Sequence, residues 1–247
     1  MNGLPILTYH ALDDSGSVVS TSPSWFAATL AALHSEGFAC VDLEDWVARG
    51  RPPVARAFAL AFDDGLASIR LAADLVSRYG YTATAFLVTG RMGRDNAWLG
   101  QPPGVPVAKL LHWDDLADLR SAGFRFGAHT ETHPRLGGCG WGHLVREVLG
   151  SRCEIEARTG ERCRLFAYPY GDAPRAAVEL VASGFAAGFG TRLGYASGSE
   201  TASLLSRVDA FYLQTPRALR ALVGGRWGPA LRARRVARAV RRAIAVA

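Results

Sequence analysis

Three short clusters carry side chains able to do chemistry. Phe62-Asp63-Asp64-Gly65 places two adjacent carboxylates directly after an apolar run. At a strand exit, neighbouring side chains point in different directions. One carboxylate can then bind a metal ion while the other stays free as a base. The alternative is an Asp-Gly turn capping the helix that begins near Leu66. His129-Thr130-Glu131-Thr132-His133 follows a second apolar run. Two imidazoles four residues apart can meet one divalent ion if the segment turns helically; the alternative is a solvated turn. Adding Asp64 gives two nitrogens and one oxygen, a three-ligand set with the open positions that a catalytic zinc-type metal needs. The third cluster is Phe166-Ala167-Tyr168-Pro169-Tyr170-Gly171-Asp172. Its proline, aromatic and glycine fix a sharp loop whose backbone N–H can face a developing oxyanion, unless the stretch is simply a proline turn ending a strand.

Positioning these clusters requires a regular scaffold, and the pattern supplies one. Short apolar runs at Pro5–His10, Phe38–Val41, Ala57–Phe62, Ala83–Val88, Phe124–Ala128 and Arg164–Tyr168 read as strands, with Phe185–Phe189 and Ser206–Leu213 closing the series. Helical patterns alternate with them at Ser22–Gly37, Leu66–Tyr79, Trp113–Ala122, Leu144–Thr159 and Pro174–Ser183. The unbroken Ala-Phe-Ala-Leu-Ala-Phe of 57–62 suits a parallel strand covered on both faces. Repeated β-α units of this number predict one α/β domain, barrel-like or doubly wound. His10, Asp63–Asp64, His129 and Tyr170 all follow strands, at the end where a parallel barrel assembles its chemistry.

The chain has 247 residues, 49% of them hydrophobic and 20% charged, which excludes a disordered chain and suffices for one sizeable core. No run of about 18 uncharged apolar residues suggests a membrane span. The opening Met-Asn-Gly-Leu-Pro-Ile-Leu-Thr-Tyr-His lacks a basic stretch, so no secretory signal is expected and the expected location is the cytoplasm. Cys40, Cys139, Cys153 and Cys163 show no paired spacing and read as buried thiols. The net charge of +6 is concentrated: residues 217–247 hold nine arginines and no acid, leaving a mildly acidic body. That distribution argues against a nucleic-acid groove and for one basic attachment surface. Residues 229–247 read as a helix about 28 Å long, with Val236, Val240, Ala243 and Ala247 on one face and arginines around the rest. It suits either docking on the body or peripheral attachment to an anionic membrane surface at the inner face.

In order and surroundings, the three clusters resemble the motifs of the polysaccharide deacetylase family, the NodB-homology group (carbohydrate esterase family 4). Phe62–Gly65, His129–His133 and Tyr168–Gly171 are similar to its first three motifs. Leu7-Thr8-Tyr9-His10 resembles its opening strand. His112–Leu116 through Gly123–Gly127 resembles the approach to the histidine pair, and Ser206-Arg207-Val208-Asp209 the arginine-containing segment near the end. The resemblance spans about residues 4–212. It implies a distorted (β/α) barrel in one domain, residues 1–213, followed by a basic helical tail, residues 214–247. It also implies a metal-dependent hydrolase that removes N-acetyl groups from an amino sugar in a polysaccharide or a lipid- or nucleotide-linked intermediate. Asp64, His129 and His133 would hold one divalent ion, zinc first, with cobalt or nickel as alternatives. Asp63 would be the general base, and the Tyr170 N–H would face the oxyanion.

Three departures stand out. Where family members often carry an arginine that orients the base, this chain has Ala167. A late Asp/Trp motif is not recognisable between Gly184 and Gly194. The late histidine that serves as acid is missing, because no histidine follows His143. His10, at the end of the first strand, is the candidate acid in its place. His34, His112 and His143 read as surface or packing residues, and Trp98, Trp113, Trp141 and Tyr170 as candidates for stacking on sugar rings. The competing reading is a catalytically idle barrel that binds glycans or a biosynthetic partner.

Overall fold

The computed structural model describes residues 3–225. In chain order the elements are β1 (Ile6–Tyr9), β2 (Ala11–Leu12), β3 (Ser20–Thr21), α1 (Pro23–Ser35), β4 (Ala39–Cys40), α2 (Leu43–Ala48), β5 (Ala57–Phe62), α3 (Ala73–Arg78) and β6 (Ala83–Leu87). They continue with α4 (Asp115–Ser121), β7 (Phe124–Ala128), α5 (Trp141–Val145), α6 (Ser151–Thr159), β8 (Leu165–Ala167), α7 (Arg175–Gly184), β9 (Ala187–Leu193), β10 (Leu205–Asp209) and α8 (Pro216–Val223). Parallel pairing runs β1-β10-β9-β8-β7-β6-β5, and β1 pairs with β5 to close a ring of seven strands, with β4 added outside β5. This is the distorted (β/α) barrel expected from the sequence.

The alternation along β5 shows why the ring closes. Ala57, Ala59 and Ala61 belong to the cluster inside the barrel, with Ile6, Phe86, Phe189 and Leu205. Phe58, Leu60 and Phe62 point the other way, into the cluster under the helices with Phe26, Leu30 and Leu33 of α1. Alanines at the inward positions leave room for Phe86 and Phe189, whose ring centroids lie 5.6 Å apart, to fill the narrow interior. Outside, α1 is started by Ser22, whose hydroxyl accepts from the Trp25 N–H, and by Pro23 in its first turn.

The largest deviations fall in four of the expected elements, and β2, β3 and α2 lie where no element is expected. The stretch read as one helix over 66–79 is a 3-10 segment, Ala67–Ala72, followed by α3. The helix read from Leu144 begins at Trp141 and widens into a π-helical turn at Arg146–Gly150 before α6. β9 starts two residues later than expected and runs four residues further. β10 ends at Asp209, whose carboxylate accepts from the Phe211 N–H and caps a 3-10 turn through Leu213.

The four cysteines are free thiols, but only Cys163 is buried; Cys153 is exposed and Cys40 and Cys139 lie between. Packing around α6 leaves Cys153 on its solvent face. No described helix is long and apolar enough to cross a membrane. Within the expected tail, α8 packs on α1 through buried Ala218 and Leu222, and the helix expected over 229–247 lies outside the described residues.

Candidate active site

The residues flagged by the sequence gather at the C-terminal ends of β1, β5, β7 and β8. Strand parity aims the first of them. Asp63 continues the inward series Ala57–Ala59–Ala61 and is buried over the barrel interior, 3% exposed. The next two residues turn sharply, Asp64 at φ 69° and Gly65 at φ 68°. That left-handed pair swings the Asp64 carboxylate away from the Asp63 direction and toward β7.

Asp64 Oδ1 lies 3.4 Å from His129 Nε2 and 3.2 Å from His133 Nε2. All three side chains are buried, and one ligand atom from each lies within 4.8 Å of the others. The His129–His133 segment is not helical: Thr130 at φ 69° and His133 at φ 64° fold it into a tight turn that brings both rings to one carboxylate. His129 Nδ1 donates to the Ala167 carbonyl at 2.8 Å. A carbonyl can only accept, so the neutral ring keeps the Nε2 lone pair for the centre of the cluster, the usual tautomer of a metal-binding histidine. Two imidazole nitrogens and a carboxylate oxygen converging, with no fourth ligand among the described residues, fit a catalytic divalent site.

Asp63 is held by an arginine from the far side of the sequence. Arg207, on β10, places Nη1 at 2.7 Å from Asp63 Oδ1 and Nη2 at 2.7 Å from Oδ2. Its Nε donates to the Gly190 carbonyl at 3.0 Å, and the guanidinium lies over the Phe86 ring. Arg207 shares the inward parity of Leu205, so it enters the barrel interior and is itself 3% exposed. Ala167, where the resemblance leads one to expect an arginine, offers its carbonyl to His129 instead.

Burial disfavours charge throughout the site, so partners decide each direction. Burial raises the Asp64 carboxyl, but the two imidazoles against it outweigh burial and hold it well below the usual carboxylate range. Burial likewise opposes Asp63, which Arg207 and then His129 hold below its ordinary value. Burial lowers the His129 ring, yet Asp64 and Asp63 lift it above the usual histidine value. At His133 burial wins over Asp64, and the ring is pushed down.

Around this centre, His10 Nε2 stands 3.9 Å from Asp63 Oδ2, with a quarter of its side chain exposed. Tyr170 adopts φ 59° in the Pro169–Gly171 turn, and its ring meets the His133 ring edge-on at 4.6 Å. Trp98 is buried and stacked on His133 at 4.2 Å, so it supports the site from within. Trp141 stays exposed; Arg158 lies over Trp113, away from the centre. His34 bonds the Tyr81 hydroxyl, and His143 bonds Glu147.

Arg207 is a site residue that the three sequence clusters do not include. Its signal was an arginine in the middle of an apolar strand at inward parity.

Residues 50–184, over half of the chain, match the sequence profile of the polysaccharide deacetylases. The chain belongs to the polysaccharide deacetylase family. Its members are hydrolases acting on the N-acetyl amide bonds of sugars, and sugar de-N-acetylation is the reaction class of this deacetylase. No curated protein sequence matches the deacetylase. Among solved structures it is similar to the Streptococcus pyogenes deacetylase PplD in complex with acetate, at 21% identity over 88% of this chain and 96% of that one, TM-score 0.75. It is also similar to IcaB from Ammonifex degensii, at 22% identity over 91% of this chain and 97% of that one, TM-score 0.72. BC0361, a polysaccharide deacetylase from Bacillus cereus, matches at 21% identity over 90% of this chain and 69% of that one, TM-score 0.74. At these identities the likeness is one of fold.

Proposed function

We propose that this deacetylase removes acetyl groups from amino sugars, on a polysaccharide or a lipid- or nucleotide-linked intermediate, with a divalent ion held by Asp64, His129 and His133. The observation that carries the reading is the meeting of Asp64 Oδ1 with two imidazole Nε2 atoms beside a second, independently held carboxylate. An ion bound there would polarise the amide carbonyl and make a water more acidic. Asp63, ionised and fixed by the Arg207 fork, accepts the proton of the attacking water. The Tyr170 N–H faces the oxyanion that develops on the acetyl carbonyl oxygen. His10, partly exposed at the rim on the Asp63 side, hands a proton to the leaving amine. Zinc suits the two-nitrogen, one-oxygen donor set, and cobalt or nickel can take the same ligands.

The test is metal content of protein purified without chelator, together with Asp64→Ala and His129→Ala. About one divalent ion per chain, lost in both variants, supports the reading and leads to a deacetylation screen on free, nucleotide-linked and lipid-linked N-acetyl sugars. No ion in the wild type, even after added zinc, sinks it.

The arginine-rich composition of 229–247 supports a cytoplasmic protein attached by charge to an anionic membrane surface. Co-sedimentation with anionic liposomes should be salt-sensitive and lost on deleting those residues; binding that survives the deletion refutes it.

A further inference from the structure

His129 and His133 face one carboxylate but are held by different means. The His129 ring is pinned through Nδ1 by the Ala167 carbonyl. His133 Nδ1 is buried with no hydrogen-bond partner among the described residues. Its ring direction therefore depends on stacking against Trp98, on the edge contact with Tyr170 and on its own backbone. That backbone is strained. Thr130 and His133 both adopt left-handed φ, which costs an L-residue about 1–2 kcal/mol. Two such residues within one short turn persist only when the surroundings over-determine them.

One hydrogen bond inside the turn contributes: the His133 N–H donates to Thr130 Oγ1 at 3.0 Å. The stronger restraint comes from outside. Glu147 is completely buried, 0% exposed. Its Oε2 accepts from the backbone N–H groups of Glu131 and Thr132, both at 2.9 Å. Its Oε1 accepts from Thr132 Oγ1 at 2.6 Å and lies 3.0 Å from His143 Nε2. The neighbouring Arg146 reaches the Glu131 carboxylate at 3.4 Å. On the opposite side, the Gly90 N–H donates to the Glu131 carbonyl at 2.8 Å, and a Cβ at Gly90 would collide with that oxygen.

Glu147 sits in the π-helical turn Arg146–Gly150, and such widened turns occur frequently at functional sites. Burying a carboxylate costs several kcal/mol unless its hydrogen bonds are made. An apolar side chain would fill this helix position without that cost. What the carboxylate adds is a two-point grip on the residues between the two histidines.

We propose that Glu147 is a positioning residue for the metal site. By fixing the backbone at 131–132 it aims His133 Nε2 at Asp64, and it thereby sets the affinity of the site for a divalent cation. The inference rests on the metal reading above.

The test is zinc binding, measured by competition with a chromophoric chelator, for the full-length wild type and for Glu147→Ala, Glu147→Asp, Glu147→Gln and His143→Ala. Thermal unfolding of each metal-free protein is recorded alongside. Asp withdraws the carboxylate by one methylene and Ala removes it, so both should weaken zinc by about 10–100-fold. Gln keeps an acceptor for the two N–H groups and can donate to Thr132 Oγ1, so it should stay within a few-fold of wild type. His143→Ala leaves the grip intact and should do the same. Activity of Glu147→Asp should recover when zinc is raised, which a loss of folded protein would not do. Glu147→Asp that unfolds like the wild type yet binds zinc equally overturns the proposal. If Glu147→Ala does not fold, Glu147→Asp decides alone. A wild type that takes no zinc overturns this inference together with the metal reading, whereas unchanged affinity in the variants overturns this inference only.

Discussion

The pairing of Asp63 with Arg207 makes a quantitative prediction. Each residue is 3% exposed, and the fork closes with two hydrogen bonds of 2.7 Å. Arg207→Met keeps much of the side-chain volume and removes the charge. It leaves the Asp63 carboxylate buried, with His10 Nε2 as a remaining cationic neighbour at 3.9 Å when protonated. Breaking a buried pair in this way costs about 3–5 kcal/mol. For a chain of this size that corresponds to roughly 6–20 °C in Tm. Asp63→Ala strands the guanidinium instead and should cost a similar amount. The double variant buries neither charge, so its loss should fall short of the sum of the single losses by about 2–3 kcal/mol. Urea unfolding of the four proteins in the presence of chelator measures this cycle without contribution from a bound ion. Single losses that add to the double loss within about 0.5 kcal/mol would falsify the idea that Arg207 is the energetic partner of Asp63. Arg207→Lys retains the charge but not the fork and should lie between wild type and Arg207→Met.

Two further outcomes follow from the geometry. His10→Asn should lower kcat by about 10²–10⁴-fold, the range for loss of a general acid, and leave KM and metal content near wild type. Steady-state kinetics with a kcat within a few-fold of wild type would remove His10 from the mechanism. Burial pushes the Cys40 and Cys163 thiols up to about 12, so at pH 8 only about one molecule in ten thousand carries the reactive thiolate at either position. Iodoacetamide should therefore label exposed Cys153 in the native protein and reach Cys40 and Cys163 only after denaturation. Mass spectrometry showing Cys163 labelled as fast as Cys153 would contradict the packing.

The elements that were legible from the sequence were those whose residues obey one rule at a time. β5 and β7 fall on the expected residues, because short apolar runs between breakers have one way to fit a covered parallel sheet. β9 was misplaced because Gly188, Gly190, Thr191 and Arg192 break the apolar pattern. Those positions answer to neighbours instead: Arg192 Nε donates to Ser206 Oγ on β10, and the Gly190 carbonyl takes the Arg207 Nε. β10 was read too long for the opposite reason. The apolar run continues through Leu213, but the Asp209 carboxylate caps a turn and ends the strand early. The helix before α6 was read too late because Gly140 and Gly142 flank Trp141.

The site divides in the same way. Asp64, His129 and His133 were visible because ligand chemistry restricts residue type and spacing. The turn that unites the two histidines was not, since β-branched Thr130 strongly disfavours the left-handed φ it adopts there. It is imposed from outside, by Glu147 and Gly90, each on a different element. Arg207 was hidden for a related reason: it is 144 residues from the aspartate it holds. In a closed parallel barrel, however, every inward position near the rim lies close to every other. An arginine on β10 can thus do for Asp63 what one on β8 would do, and Ala167 on β8 is then free to offer only its carbonyl. The absence of arginine from the third cluster consequently says nothing against an oriented base. In this barrel the guanidinium reaches its place over the interior from β10, where Arg207 holds both Asp63 oxygens and the Gly190 carbonyl.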